Sequence, residues 1–278
     1  MKSLLLAAAS LVTTASLHAQ SLNIVAAENF YGGIARQIAG DSATITSILT
    51  NPNQDPHEFQ TDAGTAKAVE NADIVIYSGI GYDDWMQKLL GLKGKAGRTV
   101  ICVADLIGAK AGDNPHVWYD PRTMPALADK LGAVLKAPDK AAAFDASMAP
   151  VTAKIAEIKA AHAGTPVTAT EPVFGYMAGA LGFKMLNYSF QIAVMNDTEP
   201  SFKDTAAYEK SLTSGTVKML FYNSQVTDPV TQRMQNIAKE NHIPVVGVTE
   251  TQPPERKTYV DWMLSELNGV EKAFAEAH

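Results

Sequence analysis

Pro166-Val-Thr-Ala-Thr-Glu-Pro-Val-Phe-Gly-Tyr-Met-Ala-Gly-Ala-Leu-Gly-Phe-Lys-Met-Leu-Asn-Tyr188 contains the fold in miniature. Residues 166–170 form a short β-rich run, 174–181 carry a helical pattern, and 184–188 are β-rich again. Strand, helix, strand in one stretch is the unit of a parallel sheet, because parallel neighbours need a crossover and the helix supplies it. The alternation extends both ways. Upstream, residues 22–27, 44–49, 74–77 and 99–103 read as strands. Phe30, Ile34 and Ile38 recur at fourfold spacing between the first two, and Thr61 is placed to cap a helix running through Lys67 to Asn71. Downstream, residues 217–222 and 244–248 read as strands, and 202–212, 229–241 and 258–277 as helices.

Between these halves, from Arg122 to about His162, the strand signals stop and alanine, leucine and lysine dominate. A break at Pro138-Asp139 divides this region into two helices, the second long. Pro150 is expected to kink that second helix, since proline removes one backbone donor and crowds the preceding turn. The predicted class is α/β: two parallel-sheet α/β lobes joined by a long connecting helix, with a ligand cleft between the lobes. The expected boundaries are a leader over 1–19, an N-terminal lobe over 20–121, connecting helices over 122–163 and a C-terminal lobe over 164–278.

Composition narrows the function classes. At 278 residues, folding removes roughly 75% of the unfolded chain's surface from water, so a large core forms without disulfides. The single cysteine, Cys102, cannot bridge internally and reads as an inert core residue. The net charge of −6 argues against nucleic acid or anionic membrane, which demand clustered Lys and Arg. Lys2 followed by an apolar run and the small residues Ala15, Ser16 and Ala19 is the order of a secretory leader, with cleavage expected near Ala19. Its apolar run is shorter than the about 20 residues of a membrane span, so no stable membrane insertion is expected. Removing the leader takes away Lys2 and no acid, which moves the net charge from −6 to −7. Export without disulfides points to a bacterial periplasm.

In parallel sheets, ligands gather at the carboxyl ends of strands. Four metal-capable side chains stand at such exits. His57 lies in Asn51-Pro-Asn-Gln-Asp-Pro-His-Glu-Phe59, and His116 in Asp113-Asn-Pro-His-Val-Trp-Tyr-Asp-Pro121. Glu171 follows the run 166–170 directly, and Glu250 follows the strand at 244–248. Singly, each has an ordinary reading as a surface histidine, a helix cap or a solvated charge. The repeated Pro-His shifts the balance, because proline fixes the backbone before the imidazole and preorganises it. Two neutral imidazoles and two carboxylates carry −2, which cancels a divalent ion in a desolvated site. Such a set suits first-row divalent metals. His18, His162, His242 and His278 read as solvated. Asp228 reads as a helix cap and is the next candidate should Glu250 not be a ligand. Asn223 and Ser224 are candidates for the cleft wall, and Trp118 is placed to keep water from a metal at His116.

At this point the chain resembles the metal-binding receptors of bacterial ABC importers for zinc and manganese, the group with a long helix between its lobes. The resemblance rests on Asp55-Pro-His-Glu-Phe59, Ala72-Asp-Ile-Val-Ile-Tyr-Ser-Gly79, Pro115-His-Val-Trp-Tyr-Asp-Pro121 and Phe174-Gly-Tyr-Met-Ala-Gly-Ala-Leu-Gly182. It implies His57 and His116 as ligands, Glu171 as the third, where zinc-type members often have His and manganese-type members Glu, and Glu250 as the fourth, usually Asp. The chain lacks the His-rich acidic loop of many zinc receptors. A His₂Glu₂ set with bidentate carboxylates leans toward Mn²⁺ or Fe²⁺, whereas Zn²⁺ binds most such sites more tightly than Mn²⁺. The implied function is capture of Mn²⁺, Zn²⁺ or Fe²⁺ between the lobes, by a monomer, for delivery to an inner-membrane ABC permease without catalysis. The competing reading is an exported metalloenzyme with two His, one carboxylate and an open position; no H-E-x-x-H helix accompanies it. A surface adhesin is a third.

Overall fold

The computed structural model describes residues 21–51, 59–226 and 228–276. The leader expected over 1–19, His57 and the terminal His278 lie outside the described residues. The first part of the chain runs β1 (Leu22–Glu28), α1 (Asn29–Ala39), β2 (Ala43–Leu49), α2 (Ala63–Asn71), β3 (Ile74–Tyr77), α3 (Asp84–Leu90), β4 (Thr99–Cys102) and α4 (Val103–Leu106). Three helices follow: α5 (Thr123–Leu135), α6 (Pro138–Ser147) and α7 (Ala149–His162). The last part runs β5 (Pro166–Ala169), α8 (Gly175–Ala180), β6 (Lys184–Met185), α9 (Tyr188–Met195), α10 (Phe202–Thr213), β7 (Leu220–Asn223), α11 (Pro229–Glu240), β8 (Val245–Val248) and α12 (Tyr259–Glu276).

The strands form two four-stranded sheets, ordered β2-β1-β3-β4 and β6-β5-β7-β8, with every pair parallel. In each, the order reverses after the second strand in the row, between β1 and β3 and again between β5 and β7. At such a reversal the connections leave to opposite faces and open a crevice at the strand ends. Glu28 closes β1, Ser78 follows β3, Glu171 lies just past β5 and Asn223 closes β7. Two switch points thus carry polar side chains.

Strand β1 is buried on both faces, as a central parallel strand must be. Val25 and Ala27 pack with Leu49, Val69, Val75, Trp85 and Met86 on the outer side. Ile24 and Ala26 join a core that continues without interruption into the second sheet, through Phe30, Trp118, Phe174, Phe221 and Trp262. Phe30 sits 5.0 Å from the Trp118 ring and 5.5 Å from Trp262, and Tyr119 lies 5.1 Å from Phe174. Both sheets therefore share one apolar interior.

The connector departs from the expected pair of helices, the second long. It consists of helices of 13, 10 and 14 residues. Only Met148 separates α6 from α7, and it keeps near-helical angles of φ −76°, ψ −9°. Pro150 falls in the first turn of α7, where its missing N–H costs no bond; upstream the ladder is interrupted. The cap of α2 is Asp62, not Thr61, accepting from Thr65 N–H at 2.7 Å. Where a strand was expected through Tyr188, β6 stops at Met185 and left-handed Asn187 (φ 60°) starts α9. His162, expected in solvent, stacks on Phe274 at 3.8 Å. Cys102 is half-buried with its thiol 3.6 Å from the Ser78 carbonyl, and burial pushes the thiol pKa up. No helix among the described residues is long and apolar enough to cross a membrane.

Two buried phenols tie the ends of the chain together. Tyr259 donates to the Trp118 carbonyl at 2.6 Å and Tyr119 donates to the Thr249 carbonyl at 2.7 Å. Tyr259→Phe strands the Trp118 carbonyl in an apolar interior, at a cost of about 1–3 kcal/mol. The thermal midpoint should fall by several degrees, since 1 kcal/mol shifts a chain of this size by about 2–4 °C. An unchanged melting curve would contradict this account of the contact.

Candidate metal centre

His116 is fully buried in the loop after α4, at the start of a short 3₁₀ turn, Val117–Tyr119. Its protonation pattern follows from Asn114. The Asn114 side-chain N–H₂ donates to the Pro172 carbonyl at 2.7 Å, which accepts only, so the amide oxygen must face the other way. That oxygen meets the backbone N–H of His116 at 3.1 Å and its Nδ1 at 2.7 Å. Nδ1 therefore carries a proton, and the ring is fixed with Nε2 on the opposite side. Trp118 is fully buried in the core with its ring 5.3 Å from the imidazole.

Nε2 faces Glu250 Oε1 at 3.6 Å. Glu250, 3% exposed, stands just past β8. Its other oxygen accepts from Asn223 Nδ2 at 2.7 Å, and its backbone N–H donates to Gln225 Oε1 at 2.8 Å. Asn223, weighed in the sequence as part of the cleft wall, thus orients the carboxylate from the end of β7. Two donors each about 2.1 Å from a Zn²⁺ ion at the tetrahedral angle stand about 3.4 Å apart. The observed separation is close to that bite.

Glu171 is half-buried and lines, with Glu250, Asp197, Glu199 and Asp228, a cavity of about 260 Å³ whose other walls include Val194, Met195 and Val226. Its loop is fixed to the His116 loop twice, through the Asn114–Pro172 bond and through Tyr176, whose hydroxyl donates to the Asn114 carbonyl at 3.0 Å. A glycine is required between them: a Cβ on Gly175 would lie 2.7 Å from Asn114 Nδ2. His116 and Glu250 thus form the close pair, and Glu171 shares a cavity with Glu250. Among the described residues, no three His, Cys, Asp or Glu side chains close on one point. Asp228 serves as the expected cap, its Oδ1 accepting from the N–H groups of Val230 (2.8 Å) and Thr231 (3.0 Å).

The sequence reading missed three buried groups around this pair. Glu28 and Asp83 are both fully buried and act on each other electrostatically. Burial pushes Glu28 well above the usual carboxylate range, helped by the neighbouring Asp83, and burial raises Asp83 to about 6. Tyr82 packs edge-on against His116, ring centres 5.8 Å apart, and its hydroxyl reaches Glu250. One signal was available. Glu28 ends a β-rich run as Glu171 and Glu250 follow theirs, and the strand-exit criterion was not applied to it.

A fourth buried acid underpins the Glu250 turn. Glu266 on α12 accepts from the Thr249 hydroxyl (2.9 Å), Thr249 N–H (3.3 Å) and Trp262 Nε1 (3.0 Å). Burial nevertheless raises its pKa to about 7. A raised acid favours the protonated fold, so this stability is complete below the unfolded value near 4.5 and is lost as pH climbs through about 7. The shift corresponds to a loss on the order of 3 kcal/mol. Glu266→Gln should flatten that part of the stability-versus-pH curve in urea titrations at pH 5 and pH 8. A curve parallel to that of the unaltered chain would contradict the assignment.

Comparison with known proteins adds an independent line. A family model described as ZnuA, zinc-uptake complex component A, periplasmic, matches residues 24–273. The zinc-binding lipoprotein AdcA of Streptococcus pneumoniae is 24% identical over 90% of this chain, which spans about half (55%) of AdcA's own length. The manganese ABC transporter substrate-binding lipoprotein PsaA of the same species is 24% identical, covering 92% of this chain and 90% of PsaA. Among solved structures, the substrate-binding protein FpvC of Pseudomonas aeruginosa in complex with Mn²⁺ superposes with a TM-score of 0.74 at 18% identity, over 93% of this chain and 100% of FpvC. A Mn-bound periplasmic metal-binding protein of Candidatus Liberibacter asiaticus gives 0.71 at 20% identity, over 90% and 98% of the two chains. These two likenesses establish the shared fold.

Proposed function

The chain belongs to the family of periplasmic zinc-uptake component A proteins, and from that premise we propose that it captures a divalent transition metal, Mn²⁺, Zn²⁺ or Fe²⁺, and hands it to an ABC permease in the inner membrane. Its place of work is the periplasm, as a monomer and without catalysis. The ligand set is His57, His116, Glu171 and Glu250, with lobes at 20–121 and 164–278 joined by helices over 122–163.

The observation that carries the reading is the 3.6 Å approach of His116 Nε2 and Glu250 Oε1 from distant parts of the chain, each oriented by an asparagine. The cation is the cargo. The residues hold it by supplying two imidazole lone pairs and two carboxylates whose −2 charge matches M²⁺ in a site shielded by Trp118. Glu171 shares the 260 Å³ cavity with Glu250, which makes the acidic rim of Asp197, Glu199 and Asp228 the approach for a hydrated cation.

Calorimetry on chelator-stripped protein, with Mn²⁺, Fe²⁺ and Zn²⁺ added separately, tests this. His116→Ala and Glu250→Ala should each weaken binding by more than about 100-fold, and Asn114→Ala by about 10- to 100-fold, the range for groups that orient a ligand. Asp228→Ala should destabilise α11 by about 1 kcal/mol and leave affinity in place. If Glu250→Ala binds like the parent, Glu250 is not a ligand.

The shared core bears on mechanism. Closure about a free hinge would tear the contacts of Phe30 with Trp118 and Trp262, so metal binding should proceed with little rigid-body motion. X-ray scattering of the stripped and loaded protein should give nearly the same radius of gyration; a large contraction would refute the coupling.

A further inference from the structure

The turn after β3 is conformationally costly. Gly79 has φ 87°, Ile80 φ 46° and Gly81 φ 93°, and a β-branched residue in the left-handed region is strained. Such a turn persists only where its surroundings hold it. Here the clamp is Asp83, whose two oxygens accept the N–H groups of Ser78 at 2.6 Å and Gly79 at 2.8 Å. The turn delivers Tyr82 to the imidazole of His116 and the carboxylate of Glu250.

Glu28 stands behind this clamp at the end of β1. It is 0% exposed, no donor from another residue reaches its oxygens, and the charged groups that act on it, Asp83 and Glu250, are both acids. An ionised Glu28 would be a further negative charge in a dry space with no cation to balance it. Asp83 is the better holder of charge, since it takes two backbone N–H groups.

We propose that Glu28 is a positioning residue of the metal site: as a neutral acid it donates its proton to Asp83, and the clamped turn holds Tyr82 against His116 and Glu250. The inference rests on the metal-capture reading and adds to it a residue that touches neither metal nor ligand. It accounts for a carboxyl at the β1–β3 switch point whose role a charged side chain could not fill.

The experiment pairs Glu28→Ala with Glu28→Gln in the full mature chain. Mn²⁺ and Zn²⁺ affinities come from calorimetry, and the visible bands of bound Co²⁺ report the geometry of the ligand set. Glu28→Ala should bind at least tenfold more weakly and shift the Co²⁺ bands. Glu28→Gln, whose amide still donates to Asp83, should restore affinity to within about threefold and restore the bands. Leu131→Ala, a core truncation in α5, controls for lost stability alone and should leave the bands in place. Should Glu28→Ala fail to fold, Asp83→Asn tests the same contact from the other side and should shift the bands. The proposal is overturned if Glu28→Gln falls as far as Glu28→Ala, which would mean that the charge matters, or if Glu28→Ala matches the parent in affinity and spectrum. If the unaltered chain takes up none of the three ions, the metal reading itself fails and this inference with it.

Discussion

The imidazole of His116 and the carboxylate of Glu250, 134 residues apart in sequence, face each other across 3.6 Å of dry interior. The surrounding structure is organised to maintain this arrangement. Asn114 holds the proton on the far nitrogen of His116, Asn223 holds one oxygen of Glu250, and the amide of Asn114 is itself fixed by the Pro172 carbonyl. On the metal-capture proposal, a divalent cation is held between these two groups. On that proposal, a fold that fixes the pair in place has already met the orientational cost of binding.

That preorganisation depends on how the two sheets are joined. Each sheet brings a switch point to the interior, and the aromatic core of Phe30, Trp118, Phe174 and Trp262 fixes their relation. Cross-sheet bonds from Tyr119 and Tyr259 end on backbone carbonyls beside Glu250 and at Trp118, the neighbours of the close pair. The contacts that stabilise the molecule are therefore the ones that set the site's dimensions, and rigidity in one requires rigidity in the other.

The sheets were legible in the sequence because short β-rich runs bounded by turn residues leave few alternatives; residues 74–77 match β3 at both ends. The failures have physical causes. The strand expected over 184–188 stops at Met185, because left-handed Asn187 ends the extended run and starts α9 at Tyr188, where packing overrides a weak propensity. The connector was seen as helical, but one proline sufficed to divide it. At the site, strand-exit position marked His116, Glu171 and Glu250, whereas Asn114 and Tyr82 work through contacts whose partners are distant in sequence. Asn114 reaches Pro172, and Tyr82 reaches Glu250. No local pattern encodes such pairings.

Charge balance unites these parts. Glu28, Asp83 and Glu250 lie within electrostatic reach of one another in the interior, and none of the charged groups acting on Glu28 is a cation. Were all three ionised together with Glu171, the metal-free interior would carry four negative charges, far beyond what a desolvated site sustains. Keeping Glu28 neutral and giving Asp83 its two backbone donors confines one charge to the clamp. On the metal-capture proposal, half-buried Glu171 and buried Glu250 are then left to carry −2, the value a divalent ion neutralises. On this argument the buried acid at the end of β1 matters for what it withholds: a further negative charge behind the clamp, which no cation acting on Glu28 would balance.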